Sequence, residues 1–128
     1  MKIVIVSDNH GQELTLRKIF DHFSGEKVTF VHTGDSEFPY KDELLSHCVR
    51  VTGNCDYDME YPEFEVFEVE GITFFVTHGH RQYVNAGREY LANMAKEKGA
   101  SIALYGHTHK LNAETVDGDL CINSGSTN

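Results

Sequence analysis

Short apolar runs and helical stripes alternate along the first half of the chain. Residues 2–6, 28–32 and 48–52 are rich in β-branched and apolar residues, which predicts three strands. Residues 12–23 carry apolar side chains at helical spacing, and a short, weakly patterned helix is predicted around 40–47. This alternation of strand and helix is typical of a parallel sheet.

The second half has a different pattern. Residues 64–70 alternate Phe and Val with Glu, as a half-exposed strand does, and 72–77 are its predicted hairpin partner. Residues 84–98 carry a helical stripe that Gly99 closes. The remaining predicted elements are strand 101–105, strand 112–116, an Asp117-Gly118 turn and strand 119–123. Together these elements predict two mixed sheets packed face to face, with helices outside.

Composition narrows the class of protein. At 128 residues the chain has the length of one domain, residues 1–128, with a sizeable core. Its formal net charge of −9 argues against a basic nucleic-acid-binding surface. No apolar run is long enough to span a membrane, and the N-terminal run is too short for a secretory signal, so we expect a soluble, cytoplasmic protein. Cys48, Cys55 and Cys121 form no CxxC pair and are expected to be reduced.

Five predicted strand ends carry side chains typical of metal ligands. In chain order they are Asp8 and His10, Asp35, Asn54, His78 and His80, and His107 and His109. Most adjoin a glycine, which allows the backbone to approach a ligand closely. A single Asp in a turn is usually a turn former, and a single histidine carries as little weight. Five such turns, each at the same end of its strand, indicate a shared site.

The donor set exceeds the needs of one ion. Seven or eight oxygen and nitrogen donors are more than a tetrahedral zinc site uses. Mixed carboxylate, amide and imidazole donors suit divalent manganese, iron or zinc. Two ions about 3.5–4 Å apart need a bridging ligand, for which a carboxylate is suited, and such pairs stabilise the attacking and leaving oxygens of an in-line displacement. This chemistry favours hydrolysis at phosphorus.

The turns, taken in order, resemble the five signature blocks of the calcineurin-like metallophosphoesterases. The blocks are Asp8-x-His10-Gly11, Gly34-Asp35, Gly53-Asn54, His78-Gly79-His80 and Gly106-His107-Thr108-His109. The compact size and the sequence Gly53-Asn54-Cys55-Asp56 resemble the small bacterial and archaeal phosphodiesterase branch of this family. The resemblance implies an α/β fold, a four-layer αββα sandwich of two mixed β-sheets with helices outside, and a dinuclear site at the strand ends.

The resemblance also implies roles for the residues. One ion would be held by Asp8, His10, Asp35 and His109, and the second by Asp35, Asn54, His78 and His107. A hydroxide bridging the ions would attack the phosphoester, while the metals neutralise developing charge. The catalytic residues would be Asn54 and His80. The cofactors would be two divalent ions, manganese foremost, with iron, zinc and nickel as alternatives.

Two features depart from the family pattern. Many members have a histidine after the Asn of the third block, thought to protonate the leaving group or stabilise the transition state, but this chain has Cys55. His80 is either its substitute or a hydrogen-bond partner of a ligand, and both roles remain open. Members of the small branch usually continue past residues 125–128 with further strand, so we expect either a shortened chain that lacks this strand or a natural short form.

The sequence therefore predicts a metal-dependent phosphoesterase acting on small phosphoesters, with phosphodiesters foremost. The alternative is a non-catalytic scaffold or binding protein on the same fold, but every expected ligand is present, which favours the enzyme. Specificity would come from the loops at 36–47, 56–63 and 80–88.

Two smaller questions remain open at this stage. The acidic strand 64–70 is either an exposed edge or an interface in a homo-oligomer. Asn9, Arg81 and Lys110 flank the ligands, and each either contacts the substrate phosphate or is a solvated loop residue.

Overall fold

The computed structural model describes residues 2–82, 84–116 and 118–126. The predicted turn residue Asp117 and the terminal Thr127 and Asn128 lie outside the described residues. Within these ranges the α-helices and strands, in chain order, are β1 (Ile3–Val6), α1 (Leu14–His22), β2 (Thr29–His32), β3 (Cys48–Arg50), β4 (Phe64–Val69), β5 (Ile72–Thr77), α2 (Glu89–Glu97), β6 (Ile102–Tyr105), β7 (Asn112–Val116) and β8 (Asp119–Asn123).

Two predicted helices differ from the structure. The helix expected at 84–98 is a 3₁₀ turn at Val84–Ala86 followed by α2, which begins only at Glu89. Gly87 separates the two because its φ of +143° is incompatible with a helix. The helix expected around 40–47 is a single 3₁₀ turn at Glu43–Leu45.

The strands form one small and one large sheet. The order β1-β2-β3 makes a three-stranded sheet in which every observed pairing is parallel. The order β4-β5-β6-β8-β7 makes a five-stranded mixed sheet with antiparallel pairs at both edges. The prediction of mixed strand directions thus holds for the larger sheet, while the smaller one is parallel because its strands are joined by crossovers.

β4 is an edge strand with glutamates at 65 and 68, charges that discourage pairing with another chain.

Three apolar clusters separate four layers. Side chains of α1 and the following loops cover one face of the small sheet, including Leu16, Leu45 and Tyr61. Side chains of both sheets meet between them, including Val31, Val51, Phe74, Val76 and Leu104. Side chains of α2 cover the far face of the large sheet, including Leu91, Ala92 and Ala95. The four-layer αββα sandwich is therefore confirmed.

The sheets are joined at the carboxyl ends of their strands. Within the small sheet the Asp8 N–H donates to the Gly34 carbonyl at 3.0 Å, and within the large sheet the Gly106 N–H donates to the His78 carbonyl at 2.9 Å, so the turns of each sheet lie side by side. The His78 ring crosses between the sheets, with Nδ1 2.9 Å from the Thr33 carbonyl oxygen. These contacts bring the predicted metal-binding turns of both sheets to one edge of the sandwich.

The predictions on membrane-spanning segments and on the cysteines can be compared with the described residues. No helix in them is both long and apolar enough to cross a membrane. Cys48, Cys55 and Cys121 are free thiols.

Candidate metal centre

The backbone at the strand ends adopts a conformation that is unusual for residues with side chains. Among the described residues, seven residues other than glycine have positive φ, and five of them are predicted ligands. These five are Asp8 (55°), His10 (46°), Asp35 (60°), His107 (71°) and His109 (61°). Such conformations are uncommon and persist where the surrounding structure imposes them. The fold therefore holds these five residues in place against their intrinsic preference.

Two glycines leave room for the buried carboxylates. A Cβ atom on Gly53 would lie 2.1 Å from Asp35 Oδ1, and one on Gly106 would lie 2.7 Å from Asp8 Oδ2. Any other residue at either position would displace a carboxylate, because these distances are far below contact. The glycines beside the predicted ligands are thus explained by close approach rather than by turn formation alone.

Asp8, His10 and His109 form the first cluster of donor atoms. The Nε2 atoms of His10 and His109 are 3.1 Å apart, and Asp8 Oδ1 lies 3.3 Å from that of His109 and 3.9 Å from that of His10. Asp8 is fully buried, and its Oδ1 atom has no hydrogen-bond partner among the described residues. Burying a carboxylate oxygen without a hydrogen-bond partner is energetically unfavourable unless a cation lies next to it.

Asp35, Asn54, His78 and His107 form the second cluster. The His78 Nε2 atom lies 3.2 Å from Asp35 Oδ2 and 3.0 Å from Asn54 Oδ1. His107 Nδ1 is also 3.0 Å from Asn54 Oδ1. Four donor groups from different turns therefore meet within hydrogen-bonding distance.

The second cluster also requires a positive charge among its acceptor atoms. The His78 Nδ1 atom carries a hydrogen, because the Thr33 carbonyl beside it can only accept. In the neutral ring, the Nε2 lone pair then faces the oxygens of Asp35 and Asn54. Burial lowers the pKa of His78, but the hydrogen bond and the charge of Asp35 outweigh it and raise that pKa above its ordinary value. Either a proton or a metal ion satisfies these converging acceptors.

Asp35 faces both clusters. Its Oδ2 atom is 3.2 Å from His78 Nε2 and 3.8 Å from His10 Nε2, while its Oδ1 atom accepts the Cys55 N–H at 2.7 Å. Burial favours the protonated acid, yet the hydrogen bond and charge of His78 bring the pKa of Asp35 down to about 2. The carboxylate is therefore ionised and oriented between the two sets of donors.

The donor set fits divalent metal ions. It combines two buried carboxylates, an amide oxygen and four imidazoles, and groups of three donor atoms lie within 4.8 Å of one another. The structure thus brings together all seven residues predicted as ligands, namely Asp8, His10, Asp35, Asn54, His78, His107 and His109. Their role as ligands remains a prediction.

His80 adjoins the clusters without joining them. Its ring centroid lies 5.4 Å from that of His78 and 6.2 Å from that of His107. Its Nδ1 atom is buried and has no hydrogen-bond partner among the described residues. Burial, and then the charge of His78, lower the pKa of His80.

Cys55 lies beside Asp35 and its Sγ atom is close to a donor atom of His10. Burial, followed by the charges of Asp35 and Glu37, raises the pKa of the Cys55 thiol. The thiol is the weakly nucleophilic form of cysteine. This environment does not favour Cys55 as a nucleophile.

A buried histidine that the sequence did not mark, His32, holds the metal-binding turns together with Asn9. His32 Nδ1 accepts the Gly34 N–H at 3.1 Å, so the hydrogen of the neutral ring is on Nε2, which lies 2.7 Å from Asn9 Oδ1. The Asn9 amide in turn donates to the carbonyl oxygens of Gln12 and Ser36, each at 3.1 Å. This His32–Asn9 clamp ties the turn of Asp8 to the turn of Asp35.

The residues that flank the ligands can now be placed. Asn9 is fully buried in the clamp, so neither of the two roles left open for it, substrate contact or a solvated loop position, is supported. Arg81 forms an ion pair with Glu63 at 3.1 Å. Glu37, which the sequence analysis did not single out, lies 3.0 Å from His10 Nδ1 and orients that ring. An acidic residue two positions after Asp35 was the only signal of this contact in the sequence.

The family resemblance is borne out by comparison with known proteins. The family model for the calcineurin-like phosphoesterase superfamily domain matches residues 1–128. The chain belongs to this superfamily. Among curated relatives, the probable metallophosphoesterase YsnB of Bacillus subtilis is 32% identical over 98% of this chain and 75% of that protein. A phosphodiesterase of Methanocaldococcus jannaschii is 34% identical over 98% of this chain and 83% of that protein.

Solved structures agree with this assignment. A predicted phosphoesterase from Streptococcus pneumoniae superposes with a TM-score of 0.90 at 35% identity, over 97% of this chain and 71% of that one. Vps29 from Entamoeba histolytica, crystallised with Zn²⁺, has a TM-score of 0.76 at 25% identity, over 98% of this chain and 74% of that one. The fold is thus shared with a phosphoesterase and with Vps29, a name that stands for Vacuolar Protein Sorting 29.

A test of the clamp follows from the environment of His32. Burial, and then the charge of His78, lower the pKa of His32 from 6.5 to about 3, so the ring stays neutral in the fold. The neutral His32 ring contributes its full stabilisation at pH values above 6.5, the pKa of the histidine in the unfolded chain. That stabilisation is lost as the pH falls from about 6.5 towards about 3, because the unfolded chain then binds a proton that the folded chain does not bind. His32→Gln lowers the free energy of unfolding at neutral pH, since one clamp bond is lost.

Urea unfolding of both metal-free proteins across this pH range measures the effect. The stability difference between wild type and His32→Gln narrows as the pH falls. A constant difference would show that His32 does not stay neutral in the fold. The matched change His22→Gln, at an exposed histidine at the end of α1, serves as the control.

Proposed function

We propose that the protein is a metal-dependent phosphodiesterase with a dinuclear site. The observation that carries the proposal is the position of Asp35, whose Oδ2 atom lies within 3.8 Å of imidazole nitrogens from both clusters. One carboxylate that faces two sets of donors is what a pair of ions about 3.5–4 Å apart requires. The archaeal relative named as a phosphodiesterase supports a diester as the substrate.

The two ions would be held by the clusters described above. Asp8, His10 and His109 would bind the first ion, Asn54, His78 and His107 the second, and Asp35 both. The bound ions would supply a nucleophile at neutral pH and neutralise charge on the phosphoryl oxygens. Manganese is the proposed metal, with iron, zinc and nickel as competitors, because mixed carboxylate and imidazole sites accept several divalent ions.

The chain's own residues orient the reaction. The Glu37 carboxylate and the Thr33 carbonyl each fix the imidazole ring beside them, so His10 and His78 present Nε2 to the centre. Asn54 and His80 border a cavity of about 480 Å³ at the edge of the second cluster. From this position Asn54 orients the substrate phosphate, and His80 donates a hydrogen bond to the oxygen of the leaving group.

The scaffold alternative has one observation in its favour, which is the similarity to Vps29 at 25% identity. That similarity is compatible with metal binding without turnover, because fold does not fix function. The manganese-loaded protein should hydrolyse activated phosphodiesters. A metal-loaded sample that is inert towards a panel of activated monoesters and diesters would favour the scaffold.

Replacement of the proposed bridge tests the dinuclear site. Asp35→Asn removes the charge that faces both clusters, so activity should be abolished and bound metal should fall to one ion or none. Elemental analysis and a phosphodiester assay measure the two effects. Asp21→Asn, at an exposed position on α1, is the matched control and should keep both properties. Full activity in Asp35→Asn would contradict the dinuclear site.

The proposed role of His80 is tested with leaving groups of different basicity. If His80 assists departure of the leaving group, His80→Ala should slow a diester with a phenol leaving group by about a hundredfold or more. A diester with a nitrophenol leaving group should be slowed much less, because that group departs without assistance. Equal slowing of both, together with weaker metal binding, would instead assign His80 to support of a ligand.

A further inference from the structure

Residues 56–61, here called the tyrosine loop, are fixed rigidly beside the candidate metal centre. The carboxylates of Asp56 and Asp58 accept five backbone N–H groups at 2.8–3.0 Å, from Asp35, Glu37, Gly53, Tyr40 and Glu60. The Tyr61 hydroxyl, at the end of the loop, donates to the Phe38 carbonyl at 2.8 Å. The loop is thus bound to the segment that follows Asp35, and its backbone is ordered before any ligand arrives.

Apolar side chains of this ordered loop point into solvent. Tyr57 is 88% exposed and Met59 is 97% exposed, whereas Tyr61 in the same loop is buried. These are the two most exposed large hydrophobic side chains among the described residues. Exposed apolar groups next to a catalytic centre mark a binding surface when they border a cavity. Because the backbone that carries them is already ordered, a ligand binds them without the entropic cost of ordering the loop.

Tyr57 and Asp58 line both of two neighbouring cavities. The larger, of about 480 Å³, also contains Asn54 and His80 and so adjoins the second cluster. The smaller, of about 280 Å³, also contains Glu37, Phe38 and Pro39, and Glu37 contacts His10 of the first cluster. The larger cavity is thus lined by a predicted ligand of the second cluster, and the smaller cavity is connected to the first cluster through Glu37. A phosphodiester has two organic substituents, and the two cavities offer one place for each.

The charges in the cavities select against anionic substituents. Asp56, Asp58 and Glu63 line the larger cavity, and its one cationic residue, Arg81, is already paired with Glu63. Glu37 and Asp58 line the smaller cavity, and none of its lining residues is cationic. A further phosphate or carboxylate group on a substituent would meet like charge at close range.

We infer that Tyr57 is a specificity-determining residue that separates two substituent-binding subsites, so that the preferred substrate is a small phosphodiester whose two organic groups carry no negative charge. The inference rests on the proposed phosphodiesterase function and names the substrate class. One substituent contacts each side of the Tyr57 ring. A monoester occupies only one subsite and depends less on the ring.

Turnover of matched esters by the manganese-loaded protein tests the inference. Tyr57→Ala should lower kcat/KM for p-nitrophenyl phenyl phosphate by about fivefold, mainly through KM, because an aromatic contact is lost. The same variant should lower kcat/KM for p-nitrophenyl phosphate, a monoester that contacts one side of the ring, by a smaller factor, and Tyr57→Phe should retain wild-type values for both. Tyr90→Ala is the matched control, since Tyr90 is an exposed tyrosine on the outer helix α2.

A second comparison tests the charge preference. A 4-carboxyphenyl ring in place of the phenyl ring should make the diester a poorer substrate at low ionic strength. The difference should shrink as salt screens the repulsion. An equal or better rate for the carboxylated diester would overturn this part of the inference, and an equal loss for diester and monoester in Tyr57→Ala would overturn the separation of subsites.

A binding measurement distinguishes failure of the subsites from failure of the proposed function. Diphenyl phosphate, a diester with poor leaving groups, should bind the manganese-loaded wild type more tightly than Tyr57→Ala, as measured by calorimetry. If no ester is hydrolysed but this difference remains, the proposed function fails and the subsites stand. If esters are hydrolysed and Tyr57→Ala changes neither turnover nor binding, the subsites are refuted and the phosphodiesterase stands.

Discussion

The burial of two carboxylates at one edge of the sandwich is the constraint on which the rest of the structure depends. Asp8 and Asp35 are almost fully buried, and each has an oxygen directed at imidazole nitrogens. Burying a carboxylate without a partner is strongly unfavourable, so this arrangement requires positive charge at that point. Protonation of His78 meets part of the need, as its raised pKa indicates, and divalent ions meet it more fully.

The surrounding fold maintains this arrangement in three ways. Parallel strands of both sheets end at the same edge, which brings distant turns together. The His32–Asn9 clamp ties the turn of Asp8 to that of Asp35 through neutral hydrogen bonds that add no charge. The tyrosine loop continues the same network outward, because the Asp56 carboxylate accepts the backbone N–H of Asp35. Side-chain positions at the centre and at the proposed subsites are therefore set by one connected structure.

The sequence predicted most of the architecture and the membership of the site. Hydrophobic periodicity located the strands, the five turns marked eight residues, and the family resemblance separated the seven expected ligands from His80. It could not predict where α2 begins, because the helical stripe runs through Gly87 and only the positive φ of that glycine breaks it. It also missed His32, which looks like an ordinary strand residue, since its role depends on a hydrogen bond to Asn9 across 23 positions. The position of Tyr57 in the lining of two cavities likewise depends on tertiary contacts that no local pattern records.

The central claim is that the centre binds two ions joined by Asp35. Titration of the metal-free protein with Mn²⁺, followed by electron paramagnetic resonance, tests it most directly. At two equivalents of manganese we expect the spectrum of an exchange-coupled pair, because the donor clusters share one carboxylate and lie within bridging distance. Saturation at one equivalent, or a spectrum of isolated ions at two equivalents, would contradict the dinuclear site.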